Sequence, residues 1–357
     1  MYYLNFINNF KLYKNIIIII CIIKRDKMGL KGKISNFKNY YNVLKNSSNK
    51  IEKLEKQVKK QEMQINSMNE TIDSYHILFN DLYLNFTHTP NELLQNIREL
   101  AYETLQFIDN VCEKHGLEYW LDYGTLLGAV RHGDFIPWDD DLDICMMRGD
   151  YNIMCDVLSK EIEAHNLKNT FTVFKHNPKA KVPNYRWLQL RCKYPGYKTT
   201  LVGLDIFPFD YIEKYDEKNI SNNFEKARKR FYKQNREGVE FDNVLNEYYD
   251  YLNLNLEKED NYIPGVECVH GVINRYELKV RKTDELFPLK RIKFGEKMFL
   301  APNNHDYHLK SIYGKNYLQI PKNVRNHGRI GRLKRIDNIM DKYDESIKLF
   351  KLANENF

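Results

Sequence analysis

The segment Tyr119 to Ile144, YWLDYGTLLGAVRHGDFIPWDDDLDI, carries four acids within residues 139–143. In an extended strand, Asp141 and Asp143 project from one face with their Cα atoms about 6.6 Å apart, while Leu142 and Ile144 point to the other face. Carboxylates so placed can share a hard cation. Leaving all four acids unrelieved costs energy by like-charge repulsion, and a divalent ion held by carboxylates and substrate phosphates removes that cost. A calcium loop is the competing metal reading, since Asp139, Asp141, Asp143 and Asp150 fall at loop positions 1, 3, 5 and 12. It fails at position 6, where Ile144 stands and the sharp turn requires glycine. A solvated acidic turn is the bland alternative, and apolar Ile136, Pro137, Trp138, Leu142 and Ile144 argue against it.

Upstream, Gly124-Thr125 follows a strand pattern and opens a helix, so its backbone N–H groups and the Thr125 hydroxyl are candidates to receive a phosphate. By itself such a pair more often marks a turn or an N-cap; beside an Asp-x-Asp strand it gains specificity. Arg131, at the other end of that short helix, is a candidate clamp for phosphate oxygens, with an ordinary ion pair as its alternative.

The elements that must position these groups read as alternating helices and strands, hence an α/β or α+β body. Thr89-Pro90-Asn91-Glu92 reads as a capping box ahead of Leu93, Leu94, Ile97, Leu100, Leu105, Ile108 and Val111 at helical spacing, with Gly116 as the stop. Strand patterns follow at 117–123, 142–146, 172–174, 187–193 and 201–207, with helices at 125–131 and near 150–165. Residues 215–262 are polar and read as an insertion.

The N-terminal region has a different character. The chain has 357 residues, 43% hydrophobic and 13% aromatic, enough for a real core. Its formal charge of +7 is uneven: residues 1–60 hold 14 Lys/Arg against 3 Asp/Glu, and the remainder is net −4. With a negative body and no RNA-binding aromatic motif, a nucleic-acid partner is not expected. The eight-residue apolar run Ile16 to Ile23 is too short to cross a bilayer and reads as a weak membrane anchor or a leader. Residues 51–79 carry heptads, with Ile51, Val58, Ile65, Ile72 and Phe79 at a and Leu54, Gln61, Met68 and Tyr75 at d. This predicts a coiled coil that self-associates, or a single amphipathic helix folded onto the body. The six cysteines show no metal-knuckle or disulfide spacing. The expected compartment is accordingly cytoplasmic or membrane-associated through the N-terminus.

GTLLGAVRHGDFIPWDDDLDI resembles the signature of the LicD family, which includes bacterial phosphocholine transferases and eukaryotic fukutin-related ribitol-phosphate transferases. The resemblance continues in Gly203-Leu204-Asp205-Ile206-Phe207-Pro208, from Phe294-Gly295 through Tyr313-Gly314, and at 321–327. It covers roughly residues 92–330, and it is loose at Phe294-Gly295 and has no counterpart for 215–262. It implies an α+β, nucleotidyltransferase-like mixed sheet flanked by helices and preceded by the coiled-coil or stem helix. The implied activity is Mg²⁺- or Mn²⁺-dependent transfer of a substituted phosphate, phosphocholine or a polyol phosphate, from a CDP-linked donor to a glycan or glycoconjugate hydroxyl. By that resemblance Gly124 and Thr125 match the phosphate-holding turn, Asp141 and Asp143 the metal pair, and Asp205 a third, catalytic carboxylate that also serves the metal. Asp139 and Asp140 are expected to back the metal pair from outside or to fix the loop. The resulting organisation is a basic leader (1–48), a stem helix (49–85), a catalytic domain (86–338) and a C-terminal helix (339–357). Two alternatives stay open: a nucleotidyltransferase acting on a small molecule or sugar phosphate, and a coiled-coil scaffold with an inactive transferase domain.

Overall fold

The computed structural model describes residues 30–85, 90–174, 187–197, 199–270, 278, 280–321 and 329–357. The apolar run at 16–23, Thr89 and the 322–327 part of the resemblance lie outside the described residues. The chain divides into two compact units, 1–78 and 79–357.

In the first unit the heptad residues lie on helix α1 (Leu30–Asn85). Its seam is bare: Leu54, Val58, Ile65, Met68, Ile72 and Tyr75 are 50–63% exposed. A helix of this kind draws most of its stability from packing an apolar stripe, and here the stripe repeats every 3.5 residues. In a parallel pair the flanking g and e positions would bring Gln57 opposite Glu62 and Gln64 opposite Asn69, combinations free of like-charge repulsion.

The second unit begins within the last turns of α1. Asn80 Oδ1 accepts from the Ile320 backbone N–H at 2.6 Å, and the buried Tyr83 ring lies 5.0 Å from that of Trp138. The body thus starts at 79, seven residues before the expected boundary. Helix α2 (Glu92–His115) is capped at Asn91, whose Oδ1 accepts from Leu94 N at 3.0 Å, so the cap sits two residues after the expected Thr89. Gly116, at φ 65°, ends the helix as expected.

The sheet has a mixed topology. Its main path runs β1 (Trp120–Leu121), β2 (Leu142–Met147), β5 (Thr200–Ile212), β4 (Leu188–Lys193), β3 (Phe171–Phe174). β2 and β5 are parallel, and β4 is antiparallel to β5. Alternation along these strands creates two faces. Leu142, Ile144, Met146, Leu188, Leu190, Leu204 and Ile206 bury one of them in the main core, which also takes residues of α2 and of the C-terminal helix (Ile339–Glu355). That last helix is therefore part of the body rather than an appendage. On the other face, Cys145, Met147, Phe207 and Phe209 join Trp120, Tyr123 and Tyr262 in a second cluster. At the end of that face stand Asp143, Asp205 and Gln189.

Residues 215–262 differ from the polar insertion read in the sequence. Helices Ile220–Glu237 and Phe241–Leu252 bury Phe224, Phe231, Val244 and Tyr248 in a small core of their own, and strand Asn261–Pro264 pairs with β5. The polar majority hid a helical stripe at 220, 224, 227 and 231. Beside it Arg148, fully buried, bridges Asp210 at 2.7 Å and Glu267 at 2.6 Å, and Tyr249 donates its hydroxyl to Asp210 at 2.6 Å.

The exposed seam of α1 generates the first prediction. Full-length protein self-associates, and the Ile65→Asp/Ile72→Asp double variant is monomeric with an unchanged melting transition of the body. Size-exclusion chromatography with light scattering, beside thermal melting, reads both. A monomeric wild type refutes the coiled-coil reading.

Candidate active site

The Gly124 turn is built before any ligand arrives. Asp122 caps helix α3 (Tyr123–His132), accepting from the Tyr123 backbone N–H at 2.7 Å. Tyr123 itself adopts φ 43°, a left-handed conformation costing on the order of 1–3 kcal/mol for a residue with a side chain. Asp122 is completely buried, and it also accepts from Trp120 Nε1 at 3.3 Å, Cys145 Sγ at 3.1 Å and His308 Nε2 at 2.9 Å, with Arg281 3.9 Å away. Burial pushes the Asp122 carboxyl up, but His308, Arg281 and the Tyr123 N–H outweigh it and hold the group well below the usual carboxylate range. Burial also drives the His308 imidazole down, toward the neutral form. A neutral ring suits both contacts: Nε2–H donates to Asp122, and Nδ1 receives the Tyr262 hydroxyl at 3.3 Å. Sequence reasoning missed this support because Asp122, Tyr262, Arg281 and His308 are scattered singly along the chain.

The turn then meets the acids. A Cβ on Gly124 would lie 2.7 Å from Asp139 Oδ2 and 3.9 Å from Asp143 Oδ2, so only glycine lets the turn pass this close. Thr125 is buried, and its Oγ accepts from the Asp143 backbone N–H at 2.8 Å, while Asp122 N donates to Asp143 O at 3.1 Å. The Thr125 hydroxyl thus ties α3 to β2 as an acceptor, and Gly124 beside it is half-buried.

Parallel pairing sets Asp143 directly beside Asp205, and Leu142 beside Leu204. The Asp143 carboxyl is driven well above its ordinary range by burial first, and then by the charges of Asp141, Asp205, Asp139 and Asp122. Carboxylate oxygens of Asp139, Asp140 and Asp141 all lie within 4.8 Å of one another. Asp139 and Asp140, expected to back the metal pair from outside or to fix the loop, thus lie close against Asp141. Burial raises the Asp205 carboxyl as well, with Arg191 opposing; the Arg191 guanidinium is 3.0 Å from Asp205 Oδ1 and Gln189 Nε2 donates to the same oxygen at 3.1 Å. The polar alternation Gln189-x-Arg191-x-Lys193 along β4 was the signal for these two. Arg191 offsets part of the charge in this crowd of oxygens, and a set of carboxylate donors is the kind that suits a hard divalent cation.

Arg131 is not brought into this arrangement as expected. Its guanidinium donates to the Tyr317 and Gln319 carbonyls at 3.1 and 3.3 Å and to the Tyr83 hydroxyl at 3.0 Å. These contacts commit its fork to protein acceptors and make it a tie between α3 and neighbouring segments. Asp210, a second acid in the Asp205 region, is enclosed by its pairing with Arg148.

Among the described residues, no helix is long and apolar enough to cross a membrane. A family model described as LicD/FKTN/FKRP, nucleotidyltransferase domain, matches residues 116–247, a span that holds Gly124, the acids of 139–143, Arg191 and Asp205. The chain is 27% identical over 238 residues to the lipopolysaccharide cholinephosphotransferase LicD of Haemophilus influenzae, covering 61% of this chain and 88% of that protein. It is 34% identical over 129 residues to an uncharacterized protein of Rickettsia prowazekii, spanning 48% of that protein's length. It is also 48% identical over 56 residues to the ribitol 5-phosphate transferase FKRP of Homo sapiens, only 10% of that protein. The matched span takes in the Gly124 turn and the paired acids, so residues 116–247 are a nucleotidyltransferase domain of the LicD transferase type.

Proposed function

We propose that this protein transfers a substituted phosphate, phosphocholine or a polyol phosphate, from a CDP-linked donor to a glycan hydroxyl. The observation that supports it best is the register of Asp143 beside Asp205, with Asp139 and Asp141 alongside and the Gly124 turn passing over them. Asp141 and Asp143, with Asp139 in reach, would hold Mg²⁺ or Mn²⁺. When bound, the ion neutralises nonbridging phosphate oxygens and steadies the departing CMP. The similarity to a cholinephosphotransferase and to a ribitol 5-phosphate transferase supports the substituted phosphate as the group moved.

In this reading the Gly124 backbone faces the donor's phosphates, and the Asp122 network fixes its direction. The acceptor oxygen attacks the headgroup-bearing phosphorus, the pyrophosphate P–O bond breaks and CMP departs. The acceptor's proton passes to Asp205, whose burial raises its proton affinity and makes it the better base. A nucleotidyltransferase proper is the second reading, favoured by the description of the matched domain. Following separately labelled halves of the donor distinguishes them, since only one half reaches the acceptor.

Two predictions follow from the acids. Incubation with a panel of CDP-linked donors, Mg²⁺ or Mn²⁺ and candidate glycans releases CMP; EDTA stops it, and Asp141→Asn or Asp143→Asn lowers the rate to background. Asp205→Ala likewise loses transfer while CDP binding, read by calorimetry, persists. Wild-type turnover in the Asn variants removes the metal assignment.

The second prediction concerns stability. Removing one charge from the cluster relieves repulsion, so without divalent ions Asp143→Asn melts about 2–4 °C above wild type, corresponding to about 1 kcal/mol in a domain of this size. Added Mg²⁺ raises the wild-type transition and leaves that of the variant nearly unmoved. An equal Mg²⁺ response in both proteins contradicts the assignment.

A further inference from the structure

We propose that Arg191 is the side chain that receives the donor's phosphate, the role for which the sequence pointed to Arg131. This inference rests on the reading of a phosphate-bearing donor. An anionic donor must approach Asp139, Asp141, Asp143 and Asp205, which together repel it, so the site needs fixed positive charge beside the acids. Among the described residues, the arginines of this region differ in what they can reach. Arg131 is spent on the Tyr317 and Gln319 carbonyls and the Tyr83 hydroxyl. Arg148 is sealed between Asp210 and Glu267, and Arg281 is buried behind Asp122.

Arg191 is placed differently. It lies on β4 two residues from Gln189, and Gln189 is the register partner of Asp205, so both side chains leave the sheet on the face of Asp143 and Asp205. Its guanidinium touches Asp205 Oδ1 at 3.0 Å, and its side chain stays 22% exposed, open to solvent where the acids are also open. A planar guanidinium holding a carboxylate through one N–H edge still offers donors to a phosphate through another, in the forked geometry that lysine lacks. Arg191 would therefore hold the proton-accepting Asp205 and the phosphate together and fix the distance between them.

The test uses full-length protein in Mg²⁺ buffer and inorganic pyrophosphate as the probe, with binding read by calorimetry and folding by melting. Wild type binds pyrophosphate. Arg191→Gln, which keeps an N–H for Asp205, and Arg191→Ala bind it at least about tenfold more weakly, the size expected for a lost charge-assisted contact. Arg191→Lys falls between. A purely structural role, in which Arg191 only neutralises Asp205, is separated by the double variant Arg191→Gln/Asp205→Asn, because removing the Asp205 charge would then restore affinity. Persistent weak binding in the double variant supports a direct phosphate contact. Restoration, affinity in Arg191→Gln within threefold of wild type, or failure of wild type to bind pyrophosphate overturns it. CMP release by wild type is measured beside these. Arg191-dependent pyrophosphate binding without CMP release from any donor would remove the donor reading and leave this one, and CMP release with Arg191-independent binding would do the reverse.

Discussion

Everything around the site answers one constraint: two adjacent parallel strands set Asp143 and Asp205 at the same level, with three more acids arriving from the loop before β2. Five carboxylates in a partly desiccated corner repel one another, and burial removes the water that would screen them. A fold selected for stability alone would not keep this arrangement. β2 and β5 hold it by pairing across six residues, which keeps Asp143 and Asp205 level with one another.

The neighbouring structure limits how the crowd can relax. Asp143 is tied down by its backbone, N–H to Thr125 and carbonyl to Asp122, so the strand cannot slide away from α3. Gly124 lets the helix start come within contact of Asp139, and the strained Tyr123 backbone is held in place by Asp122. Asp122 in turn is fixed by four donors and by Arg281, all from buried positions. A buried ionised group with a full set of partners is rigid, because removing any one leaves an uncompensated charge. Rigidity in this layer is what gives the acids above it a defined geometry.

Much of this could be read from the sequence, and the parts that could not have physical reasons. The Asp-x-Asp alternation, the apolar residues between the acids and the Gly-Thr helix start are local signals, and the strand β2 and helix α3 followed from them, while the α+β class came with the family resemblance. Asp205 needed the family resemblance, because its partnership with Asp143 depends on which strands pair in parallel, which no local pattern specifies. The contacts of Arg131 with the carbonyls of residues 317 and 319 come from far along the chain, where no local pattern shows them. Arg191 and Asp122 reach the site through tertiary register, and His308 through a helix nearly 190 residues away. In the 215–262 segment a high polar content concealed two amphipathic helices whose buried stripes are only four or so residues each.

The same logic separates what the two ends of the chain contribute. Arg148, Asp210 and Glu267 place an ion cluster under the start of the fourth helix (Arg148–Ala164) and bind the 215–262 helices to the sheet through Tyr249. Such a cluster adds little net stability against an apolar replacement, but it admits one arrangement of its partners, since any other leaves a charge buried alone. The body from 79 onward therefore specifies its own geometry with internal contacts. The heptads of α1 leave Leu54, Val58, Ile65, Met68 and Ile72 exposed. The association predicted for α1 and the chemistry proposed at Asp143 call on different residues of one chain.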